Sequence, residues 1–380
     1  MKIGIVCYPT FGGSGVVATE LGKALAREGH NIHFITYSQP TRLDFFTESL
    51  YYHEVDIMNY PLFEYPPYEL ALASKLVDVV RHEKLDLLHV HYAIPHATAA
   101  YLAKQILKSD NISIPIITTL HGTDITLVGK DPSYEPVVTY SINHSDGVTA
   151  VSQNLKDDTY RHFKINKEIE VIPNFIDLNR FKKHKKDHFK KAICPNDEKL
   201  IVHTSNFRKV KRVDDAVRVF SKIREEIPAK LLLVGDGPER ASVEQLCREL
   251  GYYDEVRFLG KLEAVEEVLS VSDLFLMPSE SESFGLAALE AMACEVPVVA
   301  SNVGGIGELI IHGVSGFMSN VGDIDDMTKN ALYILKADHL PKFKINALNR
   351  AMDFDVTNIL PKYELFYNKI IESAVQLQKA

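Results

Sequence analysis

The sequence predicts an α/β fold of two doubly wound parallel sheets, and three observations carry that expectation. Short apolar runs alternate with amphipathic stretches from one end to the other, the pattern of parallel strands joined by crossover helices. The pattern occurs twice, with a break in composition near residue 173. The 380 residues are enough for two domains at about 150 residues each.

In the first half, apolar runs place strands at 3–6, 32–36, 87–90, 116–120, 148–151 and 170–172. Between them, apolar residues three and four apart place helices at 18–27, 97–108 and 153–163. The second half repeats the scheme, with strands at 200–204, 230–234, 256–259, 274–277 and 297–300 and helices at 213–226, 239–250 and 286–294. Pro173-Asn174-Phe175-Ile176-Asp177 is the boundary. It is followed by 182–191, whose six lysines read as a solvated linker opening a helix, because no aromatic platform accompanies them as nucleic-acid binding would require. Ile359, Tyr363, Phe366, Tyr367, Ile370, Ile371 and Ala374 recur at helical spacing and predict a terminal helix packed on a core. The expected domains are therefore 1–172, with helix 361–380 packing back on it, and 173–360. Two such Rossmann-like domains face each other across a cleft, with ligands at the carboxyl ends of their strands.

Composition narrows the function. Hydrophobic residues make up 46% and charged residues 24%, an ordinary globular balance. A net charge of −9 disfavours general binding to nucleic acid or an anionic membrane. Cys7, Cys194, Cys247 and Cys294 form no CxxC pair and no disulfide framework, which suits a reducing compartment. No run approaches 18 apolar residues, and 3–6 is too short for a signal peptide. A cytoplasmic protein without membrane insertion is expected.

Four loops after strands carry the chemistry. Gly12-Gly13-Ser14-Gly15 opens a helix, where free backbone N–H groups and the positive end of the dipole suit a phosphate or carboxylate. It departs from the dinucleotide fingerprint, and a plain glycine turn remains an alternative. His121-Gly122-Thr123-Asp124 puts an imidazole at a strand end, near His89, His91, Tyr92 and His96 from the neighbouring strand. A metal centre there is disfavoured on the expectation that His89 and His91 face opposite sides of the sheet. Ser205-Asn206-Phe207-Arg208-Lys209-Val210-Lys211-Arg212 gathers four cations before a helix, where they oppose its dipole. A bound diphosphate would compensate them, a solvated basic turn being the alternative. Glu282-Ser283-Phe284-Gly285-Leu286-Ala287-Ala288-Leu289-Glu290 sets one carboxylate in a loop and a second within the following helix, suited to sugar and ribose hydroxyls, with the helix's first amides free for phosphate.

These residues, with the Pro173-Asn174 linker, Gly235-Asp236-Gly237-Pro238, and Gly304-Gly305 before Glu308, resemble the retaining two-Rossmann-domain glycosyltransferases that use nucleotide sugars (the GT-B architecture, family 4), over essentially the whole chain. Within that family, His91-Tyr92-Ala93-Ile94-Pro95-His96, the segment 121–126 and the segment 205–212 resemble the enzymes that begin bacillithiol biosynthesis. The chain departs from the family pattern at Asn206, where an arginine is usual, at Gly307 in place of a proline, and at Glu295 in place of a glycine.

The resemblance implies transfer of N-acetylglucosamine from UDP-GlcNAc to the hydroxyl of L-malate with retention at the anomeric carbon, without metal or other cofactor. His121, Arg208, Lys211 and Glu282 are then the catalytic residues. Gly13, Ser14, Asn206, Arg208, Lys211, Gly237, Leu262, Glu282, Ser283, Phe284, Gly285, Leu286 and Glu290 bind the donor. Ser14, Gly15, Tyr92, Thr119 and Asn206 meet the acceptor. A related fold could instead serve another small acceptor or a UDP-GlcNAc 2-epimerase, and a two-domain sugar-binding module is the non-enzymatic alternative. Self-association into a homo-oligomer is left open.

Overall fold

The computed structural model describes residues 1–10, 12–43, 47–58, 64–184 and 187–379. Lys185 and Lys186 of the lysine-rich stretch, and Ala380 at the end of the terminal helix, lie outside them. The chain divides into two compact units, Met1–Asn174 with Thr357–Ala380, and Phe175–Val356.

The first unit runs β1 (Lys2–Val6), α1 (Gly13–Arg27), β2 (Asn31–Thr36), β3 (Leu50–Glu54), α2 (Tyr68–Glu83), β4 (Leu87–His91), α3 (Thr98–Ser109), β5 (Ile116–Leu120), α4 (Glu135–His144), β6 (Gly147–Ala150), α5 (Gln153–His162) and β7 (Ile169–Val171). Its sheet is ordered β3-β2-β1-β4-β5-β6-β7, and every pairing is parallel. The second unit runs α6 (Asp187–Ile193), β8 (Lys199–Ser205), α7 (Val213–Glu226), β9 (Ala229–Gly235), α8 (Arg240–Glu249), β10 (Val256–Gly260), α9 (Val265–Leu269), β11 (Leu274–Met277), α10 (Leu286–Ala293), β12 (Val298–Ser301), α11 (Ile306–Leu309), β13 (Gly316–Ser319), α12 (Ile324–Leu335) and α13 (Leu340–Met352). Its sheet is ordered β10-β9-β8-β11-β12-β13, again all parallel. The final helix α14 (Val356–Lys379) follows.

The two doubly wound parallel sheets match the expected fold class, and the order in each reverses beside its first strand. The reversals, between β1 and β4 and between β8 and β11, open a crevice at the strand carboxyl ends of each unit. Ile3, Ile5, Leu21, Leu25, Ile32 and Phe34 are fully buried in the first unit, and Leu231, Leu233, Phe220, Phe275 and Val299 in the second. Strands buried on both faces read as apolar runs, which is why they were visible in the sequence.

Three local expectations change. Helix α1 starts at Gly13, five residues before the predicted start, because the glycines that signal a loop are needed for close packing. A Cβ on Gly15 would stand 2.3 Å from the Tyr8 carbonyl oxygen. Helix α14 begins at Val356 and takes Pro361 within it, in the second turn, where the ring removes one intrahelical hydrogen bond. The lysine-rich stretch is more than a solvated linker: Lys190 of α6 pairs with the buried Asp273 at 2.6 Å, where Lys344 of α13 also arrives at 3.0 Å.

Candidate active site

In the first unit the crevice is built by the ends of β1, β4 and β5. Tyr92, just past β4, has φ 96°, a left-handed conformation that a bulky residue keeps only when its surroundings hold it. Its hydroxyl donates to Ser14 Oγ at 2.7 Å, and its ring lies 5.4 Å from that of His121. The predicted Ser14, Tyr92 and His121 are therefore brought together, at the start of α1. No side chain caps that helix and no acidic residue occupies its first turn, so its electropositive end is unneutralised locally.

A polar column supports this surface from below. Tyr367 Oη of α14 lies 2.8 Å from His89 Nδ1, whose Nε2 lies 2.6 Å from Thr119 Oγ1, itself 2.7 Å from Thr149 Oγ1. His89 stacks on His91 at 4.4 Å between centroids, and His91 Nδ1 lies 2.8 Å from His121 Nε2. His89 and His91 thus share one face of the sheet, contrary to expectation, because residues two apart on a strand point the same way. Thr119 is also reassigned: it is fully buried with its hydroxyl engaged by His89 and Thr149, so it supports the site and cannot meet an acceptor. Burial pushes His89 and His121 down to about 3 and His96 to about 4, and puts His91 well below the usual histidine range. The imidazoles are neutral near pH 7.

Asp124, which the sequence reading quoted without a role, fixes both loops. Its buried carboxylate accepts the N–H groups of Ala93 at 2.8 Å and Gly122 at 3.1 Å. Burial raises it to about 6, against those hydrogen bonds. The signal was an Asp three residues after a strand-end His, which is common in turns.

In the second unit, four strand-end loops are tied by single backbone bonds. Phe207 O accepts Glu239 N–H at 3.0 Å, Val210 O accepts Glu280 N–H at 2.8 Å, and Glu282 O accepts Gly305 N–H at 3.0 Å. Gly304, at φ 53°, could carry no side chain, since a Cβ there would lie 1.9 Å from the Glu282 carbonyl oxygen. Within this frame Lys211 Nζ donates to Glu282 Oε1 at 2.6 Å, joining the two motifs that the sequence singled out separately. Arg208, Lys209 and Asn206 are exposed beside them. The fourth cation, Arg212, already has its compensation: its guanidinium pairs with Asp215 at 2.6 Å in the first turn of α7, so the basic loop is less uncompensated than its sequence suggests.

Beneath Lys211, His203 lies between the Leu276 carbonyl and Ser205 Oγ, both at 2.8 Å, and burial lowers it to about 4. Gly285 caps α10 at φ 95°, so Leu286 and the residues after it present a helix start without side-chain cap or first-turn acid. Ser283 is half-buried. Phe284 is buried edge-on against Phe354. Glu290 lies on the buried face of α10, only 5% exposed, beside Cys294. Gly237 and Leu262 stand half-buried in the loops after β9 and β10. Sequence reasoning missed Thr204, Ser279 and Ser301, whose hydroxyls at adjacent strand ends are buried with no hydrogen-bond partner among the described residues. Serine and threonine are too common there to signal it.

Paired doubly wound units, one with an electropositive helix start and one with a lysine–glutamate pair beside open helix amides, have the make-up of a sugar-transferring enzyme. Sequence profiles agree: "Glycosyltransferase Family 4" matches residues 11–180 and "Glycosyl transferases group 1" matches residues 184–350. The chain belongs to this glycosyltransferase family. It is 49% identical over 377 residues to the N-acetyl-alpha-D-glucosaminyl L-malate synthase of Bacillus anthracis, covering 98% of this chain and 97% of the relative. Among solved structures it is similar in fold to Anabaena HepE in complex with UDP and glucose, with TM-score 0.82, 21% identity and coverage of 97% and 99%. The sucrose-phosphate synthase of Thermosynechococcus elongatus follows, with TM-score 0.79, 21% identity and coverage of 98% and 100%. No helix among the described residues is long and apolar enough to cross a membrane.

Proposed function

We propose that the protein transfers N-acetylglucosamine from UDP-GlcNAc to the hydroxyl of L-malate with retention of the α-anomeric configuration, in the cytoplasm, as the first step of bacillithiol biosynthesis. The observation that carries this reading is the 49% identity, over nearly the full length of both chains, to a relative named for that synthesis.

The second unit is the donor side. Cleavage of the anomeric C–O bond leaves positive charge on the sugar and negative charge on UDP, so catalysis lies chiefly in stabilising the departing diphosphate. Lys211, Arg208 and the first amides of α10 supply that stabilisation from the protein, without metal. Glu282 orients Lys211 and holds sugar hydroxyls, and Glu290 takes the ribose hydroxyls. The uracil rests near Gly237 and Leu262.

The first unit is the acceptor side. Ser14, Gly15 and Tyr92 meet the malate carboxylates at the start of α1. His121, neutral and braced by His91, lies against the transferred sugar. The malate hydroxyl oxygen bonds to the anomeric carbon on the face that UDP leaves, and its proton passes to the departing phosphate oxygen.

The test is to incubate the purified protein with UDP-GlcNAc and a panel of hydroxy acids and sugars, identify products by mass, and read the anomer by proton coupling. GlcNAc-malate as an α-glycoside with release of UDP is expected. Efficient transfer to glycerate or a sugar phosphate would remove the malate assignment. Altered UDP-GlcNAc with no acceptor product would favour the epimerase reading.

A further inference from the structure

Away from every residue assigned to donor or acceptor, three ligating side chains converge at the outer edge of the first sheet. Strands β2 and β3 pair in parallel with His33 opposite Tyr51 and Ile35 opposite His53, so His33, Tyr51 and His53 lie on one face. The His33 ring stacks with Tyr51 at 4.6 Å and with His53 at 5.2 Å. Nδ1 of His33 lies 2.9 Å from Nε2 of His53. Glu83, the last residue of α2, brings a carboxylate to the same place, and one ligand atom from each of the three residues lies within 4.8 Å of the others.

Two features mark this group as more than a buried hydrogen bond. His33 is 1% exposed, and its Nε2 is buried with no hydrogen-bond partner among the described residues, a loss that costs about 1–3 kcal/mol. The cluster also sits at the C-terminal end of a 16-residue helix, the end whose dipole favours a cation. Lys2 Nζ donates to the Glu83 main-chain oxygen at 2.8 Å, a contact that does not involve the carboxylate.

We propose that His33, His53 and Glu83 form a binding site for a divalent transition cation of the Zn²⁺ class, tying edge strand β3 and the end of α2 to β2. Two imidazoles and one carboxylate are a donor set that suits Zn²⁺, with water completing four-coordination. Calcium and magnesium, which take mainly oxygen ligands, fit poorly. The four cysteines are all buried and offer no competing surface thiols.

The test uses tag-free full-length protein, stripped with a chelator and exchanged into metal-free buffer, then titrated with Zn²⁺ alone against a chromogenic competitor. One equivalent should bind with a dissociation constant below about 1 μM, raising the melting temperature, and Co²⁺ should give the visible absorption of a four-coordinate site. His53→Gln and Glu83→Gln, both at half-buried positions, should keep the metal-free circular dichroism and weaken Zn²⁺ binding by about tenfold or more. His82→Gln, exposed on the same helix, should bind as the parent does. Parent protein binding no more tightly than His53→Gln, or equal loss in His82→Gln, would overturn the site.

Discussion

Lys209 and Lys211 are two positions apart in one loop and meet different surroundings. Lys209 is exposed, whereas Lys211 is held 2.6 Å from Glu282 with its side chain 23% exposed. A charge fixed before the reaction stabilises a leaving group without the cost of ordering it, and one such contact supplies about 3 kcal/mol. Lys211→Ala is therefore expected to lower kcat about a hundredfold or more, and Lys209→Ala only a few-fold. Steady-state kinetics of the two variants with UDP-GlcNAc and L-malate check this, and equal losses would mean a diffuse basic patch. Both lysines were legible as a basic strand-end loop. Alternation along the loop already turns Lys209 outward; the partner that holds Lys211 was not legible, because it lies 71 residues away. A longer separation, 278 residues, hid the role of His89, which only acquires Tyr367 once the chain has folded.

At the scale of elements, Glu295 shows how a departure from the family pattern is accommodated. It follows α10 with φ 60°, the left-handed conformation that ends many helices and that glycine adopts without strain. The glutamate accepts that strain, and its carboxylate reaches Lys183 at 3.3 Å across partly exposed surface. Such a surface pair contributes little, whereas a non-glycine residue in this region costs about 1–2 kcal/mol. Glu295→Gly should therefore raise stability by about 0.5–1 kcal/mol after the extra chain entropy of glycine is counted, read as a higher melting temperature with unchanged activity. Buried central strands and the amphipathic helices α7 and α8 were readable from periodicity alone. The edge strands β3 and β13 were not: Leu50–Glu54 is largely polar or aromatic, and Gly316–Ser319 spans four residues with one glycine. The start of α1 was hidden for the opposite reason, since its glycines serve packing while reading as a turn.

For the whole molecule, buried neutral histidines set the acid limit. His89, His96 and His203 have no exposure and are lowered to about 3, 4 and 4, while the unfolded chain takes up their protons near pH 6.5. Their folded values are depressed, so stability is intact above pH 6.5 and falls with pH below it, by about 2 kcal/mol per residue at pH 5. Asp124 works the other way: raised to about 6, it gains stability as pH falls through 6, returning roughly 1.4 kcal/mol by pH 5. The net loss is a large share of a typical domain's 5–15 kcal/mol, roughly stated. The melting temperature should drop steeply between pH 6.5 and 5, and a pH-independent melting temperature over that range would contradict the burial of these rings.

Helix α14 closes on His89 through Tyr363 and Tyr367, yet it is encoded after the whole of the second unit. On the ribosome, the first unit emerges early but lacks the wall that covers its histidine column until residues 357–379 leave the exit tunnel. The second unit, contiguous in sequence, can finish first. The half that is made first is thus completed last, and for the time needed to translate about 200 residues at roughly 5–20 residues per second the nascent chain exposes a seam that a chaperone would have to shield.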